Sequence, residues 1–559
     1  MRTIAPIVEW LPAYRREWLG RDLVAGAAAW AVLVPLGLAF AGILGVDPVV
    51  GLYTLPLALV AYAVFGGSRA FVAGPDAAVV VLASATLTAV AGGGDRLSLV
   101  LPLTLLVGAI YLAFYLLRFG WIADVVPDPV LKGFVEGAIW ITILKQLPAL
   151  FGLRVELPSQ GLLEKLAVMG RALPEAHRTT LLLALASVAA LWLLRKFAPR
   201  VPGPLVALAA SIVAVRLLGL DRAGIAVVGA TGVDAPAFSL PRGLDLGRLV
   251  DLVPGALAIV VLGYTKSLGT LKRAQEKDPG GPPVDPDQEL LAIGAANLGA
   301  GLSGGYVVAG SLTATAVRID AGGRTQVASL VAAVLGVLTT LLLLPLVMSL
   351  PLATLAAIVV VALAGMSDVG YLRRLWNVRR FEAVVCLASF VGVLAFDIMH
   401  GVVVGLVLSV AKLAHDIHDP VVAEVGRTPS GAFVDVDQQG KAKVIPGMLI
   451  LRVYAPIVFL NARRLTRGMK GLARERKDLK VVVLDATASS GIDSTAADAF
   501  RVARGELAEA GIALWVVNVR EEGWKMVAAA LEAAGAPVLP RFESLAEAVE
   551  KFEKSALVP

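Results

Sequence analysis

Long apolar runs separated by short polar connectors fill the chain from about residue 22 to 417, after which the pattern becomes that of soluble protein. Fourteen apolar segments stand out, near 22–44, 48–66, 71–91, 97–118, 129–150, 179–197, 201–219, 249–271, 288–303, 306–318, 325–348, 351–366, 381–396 and 400–417. A helix crossing a bilayer needs about 20 apolar residues, so the pattern predicts a polytopic α-helical membrane protein. Two segments are too short or too broken for ordinary spans. One opens Phe71-Val72-Ala73-Gly74-Pro75-Asp76, the other Tyr306-Val307-Val308-Ala309-Gly310-Ser311. Each reads as a few extended residues, a breaker, then a helix, and each is third in its run of seven. Paired broken segments in matching halves point to an inverted-repeat transporter with a site at the bilayer midplane. Two kinked helices packed on their neighbours are the plainer reading.

After His418 the period changes. Residues 448–454, 480–484 and 513–519 read as buried strands, with amphipathic helices near 461–476, 494–510, 522–534 and 545–554. Alternation on this scale predicts a small α/β domain. The expected organisation is a cytoplasmic segment over 1–20, a transmembrane domain over 21–418, a linker over 419–444 and a cytoplasmic domain over 445–559.

Charge orients this arrangement. With the amino terminus inside, cytoplasmic loops carry Arg69, then Arg118 and Lys132, then Arg195, Lys196 and Arg200, then Lys272, Arg273 and Lys277, Arg318 and Arg324, and the Arg373, Arg374, Arg379, Arg380 group. The short outer loops near Ser303, Ser349 and Asp397 carry no Lys or Arg, as the positive-inside bias requires. The excess of positive charge, +6 overall, is accounted for by topology, and no nucleic-acid partner is expected. Met1–Leu19 carries charges and prolines without a compact apolar core, unlike a secretory leader. One cysteine, Cys386, excludes disulfides and cysteine metal clusters. Of the four histidines, His177, His400, His415 and His418, only the last two are close, near the membrane exit, where a solvated face is expected rather than a metal site. With no phosphate-binding loop, neither an enzyme nor an ATP-driven pump is expected.

An ordered set of short motifs resembles the sulfate permease (SulP) family of anion transporters. It runs from Arg21-Asp22-Leu23-Val24-Ala25-Gly26 through Val34-Pro35, Gly51-Leu52-Tyr53, Phe65-Gly66-Gly67-Ser68-Arg69 and Gly74-Pro75. It resumes at Pro129-Val130, Gly133-Phe134, Gly322-Gly323-Arg324-Thr325 and Arg373-Arg374-Leu375-Trp376. The tail resembles a STAS domain. The resemblance implies fourteen spans as a 7+7 inverted repeat divided into core and gate, a homodimer, and a small inorganic anion as substrate. It implies placement in the cell's inner (plasma) membrane, with the STAS domain cytoplasmic and open to a protein partner.

The resemblance also implies where the anion rests. Two half-helix amino ends would face each other and offer N–H groups and positive dipole ends. Ala77 and Ala78 would donate on one side, and Ser311, Leu312 and Thr313 on the other. Ser311 and Thr313 would serve equally as plain helix caps. Pro35 stands at the family's first-span proline. Many relatives follow it with Gln and, four residues later, Tyr; here Leu36 and Phe40 make an apolar wall. In the eighth span Lys266 stands where many bacterial relatives carry Glu, and Ala314 where many animal relatives carry Arg. Two readings stand for Lys266: the positive charge of the anion site, or a side chain reaching to the inner interface. Asp76 suits a helix start; it is also the candidate to pair with Lys266 or to couple transport to Na+ or H+. Glu136 and Asp397 are weaker candidates. In the tail, Asp493, Ser494 and Thr495 resemble a phosphorylated segment of anti-sigma-factor antagonists, although Asp493 or Ser494 is also a good helix cap. No cofactor is implied. The rival readings are a passive anion channel, a dicarboxylate carrier and a transport-inactive membrane scaffold.

Overall fold

The computed structural model describes residues 4–91, 96–124, 127–155, 157–158, 161–198, 201–229, 246–277, 283–395, 398–439, 442–476 and 478–556. Two compact units divide the chain, Met1–Val407 and Leu408–Pro559.

Each of the fourteen apolar segments holds a helix: α1 Leu19–Leu44, α2 Val50–Phe65, α3 Ala77–Ala91, α4 Leu97–Leu116, α5 Asp128–Phe151, α6 Arg178–Phe197, α7 Gly203–Leu218, α8 Leu246–Lys277, α9 Pro286–Leu302, α10 Leu312–Asp320, α11 Val327–Leu342, α12 Leu352–Ala364, α13 Arg380–Ala395 and α14 Ile398–His418. Among the described residues, α1, α4, α5, α6 and α8 are long and apolar enough to cross a membrane, and α2, α3, α7, α11 and α12 are shorter apolar helices. Their ends follow from local chemistry. Gly45 and Gly152 take left-handed φ values of 74° and 67° at the ends of α1 and α5, a conformation that costs glycine nothing.

The helices sort into two groups. In one, α9 lies against α2 and α4, α11 against α1 and α2, α8 against α3 and α4, and α10 against α1. In the other, α13 packs on α5, α12 on α5 and α6, and α6 on α7. Contacts of α1 with α7 and α12, and of α3 with α5, join the groups. This is the expected core and gate. Small residues allow the closest approaches within lipid-soluble bundles: a Cβ on Gly51 would stand 2.0 Å from the Gly37 carbonyl oxygen.

The second unit is a six-stranded sheet. Its strands are β3 Val422–Arg427, β4 Phe433–Asp435, β5 Met448–Val453, β6 Val481–Asp485, β7 Ala513–Val517 and β8 Arg541–Phe542, in the order β4-β3-β5-β6-β7-β8. Strands β5 to β8 are parallel, and β3 is antiparallel to both its neighbours. Central β6 is buried along its whole length, as a parallel strand covered on both faces must be. Helices α15 Ala462–Arg474, α16 Ser494–Glu509 and α17 Glu521–Ala533 cover one face, and α18 Leu545–Ala556 the other. The stretch 419–444, expected as a linker, instead contributes β3 and β4. Their short, partly polar runs hide the strand signal, and the partner that fixes them, β5, comes later in the chain.

Candidate functional site

The site begins at two breakers. Gly74-Pro75 and Gly310-Ser311 stop the helical ladder, and each preceding stretch runs extended into a two-residue strand, β1 Ala73–Gly74 and β2 Ala309–Gly310. The two strands pair antiparallel, Ala73 opposite Gly310 and Gly74 opposite Ala309. Because each strand runs on into its own helix, α3 and α10 diverge while their amino ends stay beside the crossing. Little room is left beside either glycine. A Cβ on Gly74 would lie 2.6 Å from Leu33 Cδ2, and one on Gly310 would lie 2.5 Å from Phe71 Cε2 and 3.1 Å from Ser267 Cα.

Extended backbone inside a membrane must find its hydrogen bonds within the protein. Side chains from three other helices supply them. The N–H of Tyr306 donates to Thr54 Oγ1 (3.0 Å), that of Val308 to Asn297 Oδ1 (3.0 Å) and that of Gly310 to Ser267 Oγ (2.8 Å). Asn297 Nδ2 returns a bond to the Val308 carbonyl at 2.9 Å, so its amide acts as one more strand residue. The alternation follows the two-residue period of a strand. Ser311 N–H donates to the Val72 carbonyl at 3.0 Å, and Val72 N–H to Thr315 Oγ1 at 3.1 Å. The Phe71 carbonyl accepts from Arg318 Nη1 (3.1 Å) and Gln326 Nε2 (2.9 Å).

The sequence reading missed these braces and misplaced Arg318. Expected in a cytoplasmic loop, Arg318 is fully buried at the end of α10 and also binds the Arg69 and Thr325 carbonyls and Ser329. A buried guanidinium needs acceptors, and the groups around the crossing take bonds from Nη1 and Nη2, while Nε has no partner among the described residues. A signal was present: Thr315 and Arg318 follow Ser311 at helical spacing on one face.

The two helix starts differ. Asp76 caps α3: its Oδ1 accepts from the N–H groups of Ala78 (3.1 Å) and Val79 (3.3 Å). Lys266 Nζ, from α8, donates to Asp76 Oδ1 at 2.6 Å and Oδ2 at 2.7 Å. The Lys266 side chain is 23% exposed and that of Asp76 8%. In this conformation the Lys266 ammonium lies on Asp76 rather than extending toward the end of α8. The helix runs eleven residues further, to Lys277, about 16 Å at 1.5 Å per residue, and the ammonium stays with Asp76. Ala78, expected to offer its amide to an anion, gives it to Asp76.

At α10 the cap is Ser311, whose Oγ accepts from Ala314 N–H at 3.4 Å. Among the described residues no hydrogen bond claims the N–H groups of Leu312 and Thr313, and both residues are exposed. Ala77 is buried beside Asp76 at the first turn of α3. Pro35, Leu36 and Phe40 are buried in the middle of α1, and Ala314 is fully buried in α10.

The remaining candidates lie elsewhere. Glu136, on α5, accepts from Trp140 Nε1 (2.9 Å), the Ser367 hydroxyl and Asp368 N–H (3.1 Å), tying down a loop. Asp397 is outside the described residues. A cavity of about 960 Å³ opens between α1, α3, α5 and α12, lined by Ser84, Thr88, Arg96, Thr142 and Lys145 but by neither helix start. In the second unit Asp493 caps α16, its Oδ1 accepting from Ala496 N–H and its Oδ2 from Phe459 N–H, each at 2.8 Å, while Ser494 and Thr495 are exposed.

A bundle built round two broken, crossing segments, with a separate α/β unit after it, defines a multi-pass membrane protein. The chain belongs to the sulfate permease family: that family's profile matches residues 19–389, and the STAS domain profile residues 440–548. It is 32% identical over 522 residues to a protein of Mycobacterium tuberculosis named "Probable sulfate transporter", covering 93% of this chain and 92% of that one. It is 28% identical to the "Low affinity sulfate transporter 3" of Stylosanthes hamata, covering 93% and 86%. The solved structure of SLC26A9 superposes with a TM-score of 0.88 at 20% identity, covering 99% of this chain and 93% of that one. The transmembrane domain of the cyanobacterial bicarbonate transporter BicA superposes at 0.60 with 26% identity, covering 71% and 98%.

Proposed function

We propose that this protein is a secondary transporter that moves small inorganic anions across the cell's inner membrane by alternating access. The anion rests between the amino ends of α3 and α10. The observation that carries this reading is the pair of unclaimed amides, Leu312 and Thr313, at a helix start beside the Lys266–Asp76 pair. Helix amino ends carry about half a positive charge each, and an anion stripped of water requires fixed donors of this kind. The Thr313 hydroxyl adds a donor, and Phe40 with Pro35 gives the apolar wall. Sulfate, bicarbonate and chloride are the substrates to test, and Na+ or H+ the coupling ions to test. The protein works as a homodimer, with the STAS domain as its cytoplasmic regulatory module. Purified full-length protein in liposomes should show saturable uptake of at least one of these anions, and Lys266→Ala should lower it at least about tenfold. Absence of saturable uptake for all of them would remove the transport reading. Uptake unchanged in Lys266→Ala at matched reconstitution would remove Lys266 from the site.

A further inference from the structure

We infer that the site selects monovalent anions over sulfate, because Asp76 cancels the charge of Lys266; this rests on the transport reading above. The argument is a charge count. Lys266 and Asp76 are joined through both carboxylate oxygens, at 2.6 and 2.7 Å, so together they present no net charge. What remains positive is the two helix amino ends, roughly +0.5 each, or about one unit in total. One monovalent anion is neutralised by this; a dianion keeps an unmatched charge in a low-dielectric site, where such a charge is costly.

The pair does not open to make room. Asp76 Oδ1 accepts from Ala78, Val79 and Lys266 at once. A substrate that displaced the carboxylate would orphan a charged group inside the bundle, which is worse than binding beside it. Lys266 has three N–H donors. Two face the carboxylate, and the third is free to point at an anion docked on the Leu312 and Thr313 amides. Asp76 therefore sets the charge of the site while the amides of α10 and one ammonium proton hold the ligand.

Three other buried charged groups are held by different partners. Arg318 is spent on backbone carbonyls, Gln326 and Ser329. Asp22 accepts from Arg324 N–H, Thr325 N–H and the Thr325 hydroxyl. Glu289 accepts from Tyr62 and Gly67 N–H. Among the described residues none of these three bonds to Asp76 or Lys266.

The test is isotopic uptake of chloride, bicarbonate and sulfate into liposomes holding the purified full chain. Wild type should take up a monovalent anion at least about tenfold faster than sulfate, a modest share of what one unit charge at close range produces. Asp76→Asn raises the site by one unit and should move the preference toward sulfate by at least about tenfold. Asp76→Glu keeps the charge and should keep the wild-type order. The double variant Asp76→Asn with Lys266→Gln again sums to zero and should restore it. Sulfate uptake by wild type equal to or faster than both monovalent anions overturns the inference whatever the variants do. So does an unchanged ratio in folded Asp76→Asn. Failure of wild type to move any of the three anions would instead overturn the transport reading itself.

Discussion

The starts of α3 and α10 occupy matching places in the two halves of the bundle but are closed differently. At α3 a carboxylate fills the cap and is itself held by an ammonium from α8. At α10 a hydroxyl caps more loosely, and two amides stay open. The backbone crossing is near-symmetric, while the chemistry is divided: one side fixes charge and the other offers donors. A repeated topology can thus supply geometry twice without supplying the same function twice.

Breaking the crossing should abolish the comparison altogether. Gly310→Val places branched atoms where even a Cβ would lie 2.5 Å from the Phe71 ring; overpacking against ring and backbone should leave no monodisperse protein on size exclusion in detergent. Asn297→Ala should come next. It orphans the N–H and carbonyl of Val308, at about 1–3 kcal/mol for each group, and should show as a clear fall in the melting temperature of solubilised protein. Smallest is a control in the second unit, where Asp493 caps α16 as Asp76 caps α3. Asp493→Ala should destabilise α16 by about 1 kcal/mol, read as faster hydrogen exchange confined to that helix and its Phe459 contact, with anion uptake unchanged. A fall in uptake there would mean that the cap serves the transport cycle and not only its own helix.

Much of the fold could be read from the sequence because its signals are local. All fourteen apolar segments hold helices, and Gly74-Pro75 and Gly310-Ser311 mark the extended stretches because each places a residue that disfavours helix just before a residue that suits a helix start. The parallel strands β5, β6 and β7 were equally plain as short β-branched runs. Residues whose meaning depends on distant partners were not legible. Thr54, Asn297 and Ser267 are unremarkable helix positions until β2 lies against them. Arg318 looked like a loop cation because it ends a short helix, and only the carbonyls of Arg69 and Phe71, some 250 residues earlier in the chain, reveal it as buried. At the site, Asp76 and Lys266 could be singled out as odd charges, but their mutual distance could not.

The β1–β2 ladder also dictates a sequence of events at the ribosome. Val72 N–H bonds to a hydroxyl 243 residues later in the chain, and the Phe71 carbonyl awaits Arg318 and Gln326. The first half of the bundle therefore cannot be completed as it emerges. Its third segment must wait, with backbone groups unmatched, until the tenth segment has been synthesised, and the final closure of the core is a late step that joins both halves at once.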